Sequence, residues 1–392
     1  MIKKDDIPLL FLGITTTFVG LGIGRFSFTA MLPEMILSGW FSDSDATYIG
    51  TANLLGYLAG ALLTNRILRF LSVGKILSLS VFAISLSYLL CALPGYFGWF
   101  AFWRFVAGIS GAFLIIVGPS TVLSFLPKER QAFSGNLLFV GLGLGILLST
   151  SVSYLSYRLG FSSVWLLLGF VAVILLFPVR SVVSRYNLLT TKATPVNQSA
   201  GIALFANKAL LFVLLAYALQ AMGYVPHTVF WVDYLARELE LGTTAASVQW
   251  MVFGFGAIFG PVILGVITHH LGWSYSLILA FALNTVAIAT PLFCQTTAGY
   301  LFSSFFVGAM LPCIVALVSG SIYQLVGADL HKQYWGLATL IFAALQAFSG
   351  YSMSLLYNYY SGYHNLFAVA SVCLLAGTAF TISSVLVRNR QL

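Results

Sequence analysis

Residues 8–37 read PLLFLGITTTFVGLGIGRFSFTAMLPEMIL, and this stretch decides the fold class. Its only charged side chains are Arg25 and Glu34. A helix that crosses a membrane needs about 20 mostly apolar residues, because the hydrocarbon layer is about 30 Å thick. Backbone groups find no water partners in lipid, so a stretch of this kind has to be helical. Residues 8–37 therefore predict a transmembrane helix.

The composition of the whole chain agrees with this first stretch. Of 392 residues, 60% are hydrophobic and 7% are charged, whereas soluble domains carry about 25% charged residues. A surface facing water is therefore excluded, and lipid has to be the solvent. The net charge of +8 comes from basic residues at the ends of apolar runs, which is typical of anchoring at the inner leaflet. No aromatic-plus-basic stripe indicates nucleic-acid binding.

Twelve apolar stretches are long enough to span the membrane, and they predict an all-α membrane protein with twelve transmembrane helices. They cover residues 8–37, 45–68, 74–94, 97–123, 132–157, 162–180, 207–235, 244–267, 273–293, 298–325, 333–357 and 363–387.

The distribution of basic residues predicts the orientation. Of the 18 lysines and arginines, Arg25 and Arg104 lie within spans, Arg158 and Arg237 fall in predicted external loops, and the other 14 fall on the cytoplasmic side. Cytoplasmic loops carry the excess of Lys and Arg. We therefore expect a multi-pass protein of the plasma (inner) membrane with both termini in the cytoplasm. The first apolar run passes Gly24 without a cleavage site, so we expect it to be retained.

The chain divides into two halves that repeat. The polar segment 181–206, with Pro195, predicts a cytoplasmic linker between six-helix bundles at 1–180 and 207–392. An offset of 200 places residues 105–108 on residues 305–308, and an offset of 198 places Gly56 on Gly254. Two six-helix halves insert with the same orientation. Such parallel repeats are typical of transporters that rock around a central site.

Three local patterns carry a family resemblance. The fourth span contains Arg104-Phe-Val-Ala-Gly108-Ile-Ser-Gly111-Ala112, the second ends in Ala61-Leu-Leu-Thr-Asn65-Arg66, and the eighth ends in Gly265-Val-Ile-Thr-His269-His270-Leu-Gly272. Together with Gly22–Met35 and Thr51–Ala61, they resemble the major facilitator superfamily, in its YbfB/YjiJ-like branch, over essentially the whole chain.

The resemblance implies a transporter fold and a pair of conformational loops. The residues that match those loops are Asn65, Arg66, Gly265, His269 and His270, although Asn65 and the two histidines replace charges of the family pattern. The fifth span reads Gly141-Leu-Gly143-Leu-Gly145 without the Gly-Pro motif of drug/proton antiporters. This absence lowers the expectation of multidrug antiport.

Arg25 and Arg104 are the strongest candidates for solute binding. A charge inside the hydrocarbon layer costs at least about 2.5–3.5 kcal/mol, so it faces a cavity or a partner. In the superfamily, the first and fourth helices line the central cavity, where two guanidinium groups could hold a carboxylate or a phosphate. The structural alternative is that each arginine binds backbone carbonyls or a neighbouring helix.

Further polar residues in the spans predict a hydrophilic cavity, since buried amides and phenols need partners that a solute can supply. Hydrogen bonds between helices are the equal alternative. This predicted set consists of Asn53, Tyr57, Tyr217, Gln220, Tyr224, Gln249 and Gln346.

Glu34, Asp233 and His227 are the candidates for proton coupling. The two carboxylates are related by an offset of 199 and lie near the ends of the first and seventh spans, and His227 follows Pro226. A proton-coupled carrier needs a group that titrates as access alternates. Interfacial solvation, pairing at a gate, or an ordinary buried hydrogen bond are the alternatives.

These observations predict a secondary carrier of a small polar solute, with anions among the candidates and the proton as coupling ion. The alternatives are a drug or metabolite efflux pump of the same fold, or a membrane sensor or scaffold. No nucleophile–base pair, metal-ligand spacing or P-loop appears in the sequence, so we expect no enzyme activity, cofactor or metal. The expected partners are the solute, the lipid bilayer and protons, with no nucleic acid and no obligate protein partner.

Overall fold

The computed structural model describes residues 3–190 and 207–390, and this part of the chain is helical without strands. It contains eleven helices that are long and apolar enough to cross a membrane. They are α1 (Lys4–Leu37), α2 (Asp43–Phe70), α3 (Val73–Leu90), α4 (Phe97–Ser124), α5 (Ser134–Tyr154), α6 (Ser162–Arg185), α7 (Lys208–Glu238), α8 (Gly242–Phe293), α9 (Thr297–Gly327), α10 (Gln333–Tyr360) and α11 (His364–Asn389).

Helix α8 holds both the eighth and the ninth predicted spans. It has 52 residues, which would extend about 78 Å if straight, far beyond one hydrocarbon layer. Gly272 breaks it with φ 74° and ψ 168°, a backbone conformation that glycine adopts without steric cost. Gly327 separates α9 from α10 in the same way, with φ 76°. Twelve predicted stretches therefore lie on eleven helices.

The residues predicted to form conformational loops lie on helices. Helix α2 continues to Phe70, and the first arm of α8 continues to the break at Gly272. The prediction of loop structure is therefore wrong for Asn65, Arg66, Gly265, His269 and His270. The physical reason is that residues 61–66 contain no glycine or proline to end a helix, and that the first glycine with positive φ after Gly265 is Gly272.

Helix α1 changes its winding part-way. It is α-helical over Ile7–Thr17, a π-helix over Phe18–Phe26, and α-helical again over Ser27–Leu37. A π-helix bonds residue i to residue i+5, so the faces of the helix rotate relative to an ideal α-helix. Residues before and after the segment 18–26 therefore do not share a face at the spacing of an ideal α-helix.

The chain divides into two compact units by its contacts. Unit 1 comprises residues 1–195 and 229–254, and unit 2 comprises residues 196–228 and 255–392. Helix α7 is thus shared, with its last part in unit 1. Of the predicted linker, residues 181–185 continue α6, and residues 191–206 lie outside the described residues. The division into six-helix bundles at residues 1–180 and 207–392 stays a prediction.

Among the close contacts of glycine with backbone, one in each unit has the same form. In unit 1, a Cβ added to Gly56 would overlap the carbonyl oxygen of Phe105. In unit 2, a Cβ added to Gly256 would overlap the carbonyl oxygen of Phe305. Only glycine permits so close an approach of two helices. These two contacts are alike at an offset of 200, whereas the sequence comparison paired Gly56 with Gly254 at an offset of 198.

Candidate functional site

Arg104 lies on α4 in unit 1 and is fully buried. Its Nη2 donates to the carbonyl oxygen of Gly24 at 2.8 Å, and its Nη1 donates to the hydroxyl of Tyr88 at 3.0 Å. The guanidinium carbon also lies 5.3 Å from the centre of the Phe28 ring. No salt bridge reaches Arg104 from the described residues. The arginine thus makes the contacts of the structural alternative, and its binding of an anion stays a prediction.

Two carbonyl oxygens in the π-helical segment of α1 accept hydrogen bonds from other helices. Asn53 on α2 donates from Nδ2 to the carbonyl of Gly24 at 3.2 Å and to that of Arg104 at 3.0 Å. Tyr88 on α3 donates to the carbonyl of Ile23 at 2.5 Å and also contacts the hydroxyl of Ser27. Three helices therefore hold one irregular segment of α1.

Sequence reasoning missed Tyr88 and Ser27 in this network. Neither is charged, and each lies in a long apolar stretch. The available signal was chemical, since a phenol within a span needs a hydrogen-bond partner. Tyr57, which was predicted to bind solute, is buried on α2 in the same unit.

Arg25 lies beside aromatic rings in unit 1. It is 8% exposed, and its guanidinium carbon is 5.2 Å from the centre of the Phe26 ring. Phe26 is 6.3 Å from Trp250 and 6.5 Å from Phe253, and these two rings stack at 4.4 Å. We name Phe26, Trp250 and Phe253 the aromatic cluster. Gln249, a predicted solute ligand, is buried one position before Trp250.

The aromatic cluster contains an unused hydrogen-bond donor. Trp250 is fully buried, and its indole N–H has no partner among the described residues. An indole N–H normally finds a partner when buried. Arg25 and the aromatic cluster therefore combine a positive charge, apolar surface and one neutral donor.

Asp233 is fully buried and forms ion pairs near the end of α7 in unit 1. Arg237 donates from Nε to one of its carboxylate oxygens at 2.6 Å and from Nη2 to the other at 2.7 Å. The remaining nitrogen, Nη1, donates to Asp43 at 3.0 Å. Asp43 was not predicted, because its partner is 194 positions away in the sequence. Glu34, the other carboxylate candidate, is partly exposed near the end of α1.

Unit 2 brings together three of the predicted polar residues around Phe342. The hydroxyl of Tyr224 donates to Oε1 of Gln346 at 2.5 Å, and the Tyr224 ring is 5.4 Å from Phe342. The centre of the Tyr217 ring is 4.6 Å from the centre of the same Phe342 ring. Gln220 instead accepts a bond at 3.0 Å from Asn284, a buried residue that was not predicted although it lies in an apolar span.

His227 is fully buried in unit 2 and contacts Ser303. The distance between its Nε2 and the Ser303 hydroxyl is 2.7 Å, and that hydroxyl also donates to the carbonyl of Ala287 at 2.7 Å. A serine hydroxyl has one hydrogen to donate. Since Ala287 receives it, Nε2 of His227 has to be the protonated nitrogen that donates to Ser303.

A comparison with family models shows to which protein family the chain belongs. The model described as "Uncharacterised MFS-type transporter YbfB" matches residues 17–382. The chain belongs to this YbfB-type family. The resemblance predicted from the sequence is confirmed, and every residue discussed in this subsection lies within the match. A search of curated proteins gave no match.

Membership in the YbfB-type family establishes the class of protein. The chain is a multi-pass membrane transporter of the major facilitator superfamily, which implies transport rather than catalysis. Among the described residues, no group of three or more His, Cys, Asp or Glu side chains could hold a metal ion.

Proposed function

We propose that this YbfB-type transporter is a secondary carrier that moves a small polar solute, with anions favoured, by alternating access. Twelve membrane crossings in two parallel repeats are part of the proposal. The break of α8 at Gly272 supports two crossings in that helix, and the matching glycine crossings at Gly56 and Gly256 support the repeat. The excess of Lys and Arg in predicted cytoplasmic segments supports an inner-membrane location with both termini inside.

The observation that most supports alternating access is the ion-pair network of Arg237. It connects Asp43 of the first predicted half with Asp233 and Arg237 of the second, on the predicted external side. A carrier needs contacts between its halves that form and break in each cycle. The Asp43 side chain is 49% exposed, and an exposed pair of this kind is worth about 0–1 kcal/mol. The Arg237–Asp43 contact is therefore weak enough to open.

A cysteine-labelling experiment tests this gate. Val232 is fully buried beside Asp233, so Val232→Cys reports on opening when the four native cysteines are replaced. Asp43→Asn should raise the labelling rate by an impermeant maleimide about two- to fivefold, as expected from losing one exposed pair. Asp45→Asn, the same change in the same helical turn, is the control. Equal labelling in both variants would remove the gate from the proposal.

The surroundings of Arg25 support a polar solute with an anionic group. Arg25 supplies the charge, and Trp250 supplies an unused donor in the same unit. A thermal-shift screen of carboxylates, phosphate esters, sugars and lipophilic dyes should identify a stabilising class. Counterflow of the labelled hit in proteoliposomes then tests transport. Arg25→Gln and Arg25→Lys should both abolish it at normal expression, and transport at the wild-type rate by Arg25→Gln would contradict this role.

Efflux of lipophilic compounds is the second candidate, because the aromatic cluster offers three stacked or tilted rings in one buried group. Stabilisation by lipophilic dyes alone, with Arg25→Gln still active, would favour it. A sensor or scaffold would show no counterflow with any compound.

Proton coupling completes the proposal, with Glu34, Asp233 and His227 as candidate groups. Asp233 is bound to Arg237, so its neutralisation also disturbs the gate. Glu34→Gln is therefore the cleaner variant. It should lose accumulation driven by a pH gradient and keep solute exchange. Unchanged accumulation in Glu34→Gln would exclude Glu34 as the proton-coupling group. His227→Gln would then test His227 in that role.

A further inference from the structure

A pocket in unit 2, remote in sequence from the residues proposed for transport, contains buried donors that have no partner among the described residues. Its polar lining consists of Arg388, Ser274, Ser321, Thr381 and Ser384, and four apolar side chains complete the wall. The pocket has about 290 Å³ of empty space, which includes space open to the surface. We propose that this pocket binds a phosphate group, either of an anionic phospholipid or of a free phosphate.

The hydrogen-bond inventory of the pocket shows which donors are available. Arg388 donates from Nη1 to Ser274 at 3.0 Å, while its Nε is buried without a partner among the described residues. Ser321 is 4% exposed, and its hydroxyl is also buried without a partner among the described residues. Ser384 and Thr381 use their hydrogens on backbone carbonyls at 2.9 and 2.7 Å. The buried donors of the lining without a partner among the described residues are therefore Nε of Arg388 and the hydroxyl of Ser321.

The charge of the pocket selects an anion. Among the described residues, its lining contains one guanidinium group and no acidic side chain. A buried donor left without a partner costs about 1–3 kcal/mol, and more for a charged group. The Nε edge of a guanidinium group presents two parallel N–H bonds, which match two oxygens of a phosphate or a carboxylate.

Two further features favour phosphate over carboxylate. A tetrahedral phosphate has oxygens left for the Ser321 hydroxyl after two have bound the Arg388 fork. Arg388 also lies in the last turn of α11, at a helix end that the basic residues place on the cytoplasmic side, where lipid phosphates lie. The enclosed inner part has room for about one water, so a single phosphate oxygen enters it toward the buried Ser321 hydroxyl and the rest of the group lies in the outer part next to the apolar wall.

Native mass spectrometry of the full-length, delipidated protein tests the proposal. The probes are phosphatidylglycerol, phosphatidylcholine and inorganic phosphate, each titrated separately. Wild-type protein should retain phosphatidylglycerol about tenfold better than phosphatidylcholine. Arg388→Gln should remove about tenfold in affinity, and Ser321→Ala about threefold, as expected from losing a charged and a neutral donor. Arg390→Gln, the same charge change two positions on at an exposed residue, should alter affinity by less than about twofold.

The outcomes separate the sources and define failure. Competition of inorganic phosphate with phosphatidylglycerol in wild type, lost in Arg388→Gln, supports a site for free phosphate as well as for lipid. Retention of phosphatidylglycerol that inorganic phosphate does not displace supports the lipid alone. Equal losses in Arg388→Gln and Arg390→Gln would overturn the proposal, because they indicate attraction by surface charge. Ser321→Ala leaves the arginine intact, so its unchanged affinity would also overturn it.

Discussion

Two helix crossings, one in each unit, share a backbone contact and differ in the polar groups beside it. Gly56 meets Phe105 in unit 1, and Gly256 meets Phe305 in unit 2, 200 positions further on. A serine hydroxyl links the adjacent helix pair in both units, but the donor changes sides. Ser87 donates to the carbonyl of Trp103 at 2.8 Å in unit 1.

In unit 2, Ser303 donates to the carbonyl of Ala287. Ser303 comes 200 positions after Trp103, and Ala287 comes 200 positions after Ser87. The neighbouring positions differ more, because unit 1 buries Arg104 where unit 2 has Ser304. The backbone approach depends only on glycine, so it persists in both crossings. The buried polar groups depend on local partners: in unit 1 the Gly24 carbonyl, in the π-helical segment of α1, accepts a hydrogen bond from Arg104.

The largest expected effect follows from the charge in the unit 1 crossing. Arg104→Met should lower the free energy of unfolding by about 3–5 kcal/mol, because two bonds from a charged donor are lost and the Gly24 carbonyl and Tyr88 hydroxyl lose that donor. Arg69→Met, at an exposed arginine of the same unit, is the control. Denaturant unfolding in detergent measures both. Similar losses of unfolding free energy in the two variants would show that the hydrogen bonds of Arg104 do not stabilise the fold.

Equal effects are expected where the two crossings are alike. Gly56→Ala and Gly256→Ala should each destabilise by about 1–3 kcal/mol, because the new methyl group overlaps a carbonyl oxygen. Gly265→Ala is the matched control, since an added Cβ there has no neighbour within 4 Å. It should leave stability unchanged or raise it by up to about 1 kcal/mol. A large difference between the first two variants would break the comparison.

A smaller difference is expected between the two serines. Ser87→Ala should cost about 0.6 kcal/mol, which is typical of one hydrogen bond between membrane helices. Ser303→Ala should cost about 1–2 kcal/mol, because His227 also loses the acceptor for its buried N–H. The same unfolding measurement, repeated on the double variant with His227→Phe, should bring the cost of Ser303→Ala close to that of Ser87→Ala.

The smallest effect concerns pH, at the segments that precede α5 and α10. In unit 1, Arg130 forms an ion pair with Asp6. In unit 2, burial lowers the pKa of His331 below its ordinary 6.5, an effect that the hydrogen bond to Ser319 partly offsets. The folded state then binds fewer protons than the unfolded state just below pH 6.5, so stability should fall as pH falls through this range.

His331→Gln removes this dependence and should flatten the stability curve between pH 7 and 5 relative to wild type. Thermal unfolding in a pH series measures the change in slope. Parallel curves for the two proteins would show that His331 titrates as it does in the unfolded chain.

The comparison of the crossings shows what sequence could and could not predict about the site. Arg104, Asn53, Tyr224 and Gln346 were predicted as solute ligands because a polar group in an apolar span requires a partner, and their binding of solute stays a prediction. Their partners could not be predicted, because those partners are backbone carbonyls and side chains on other helices. Asp43 and Arg237 illustrate the same limit, since a pair 194 positions apart leaves no local pattern.

The fold shows the same division. The sequence determined that the chain is a helical membrane protein, because 7% charged residues cannot cover a surface in water and lipid leaves backbone groups no alternative to helices. It also determined the family, through motifs that span most of the chain. Only the tertiary structure decided that α1 is π-helical at residues 18–26, that the residues predicted as loops are helical, and which carbonyl each buried donor binds. These features depend on which helix faces meet, and this is set by packing between segments that the linear pattern does not relate.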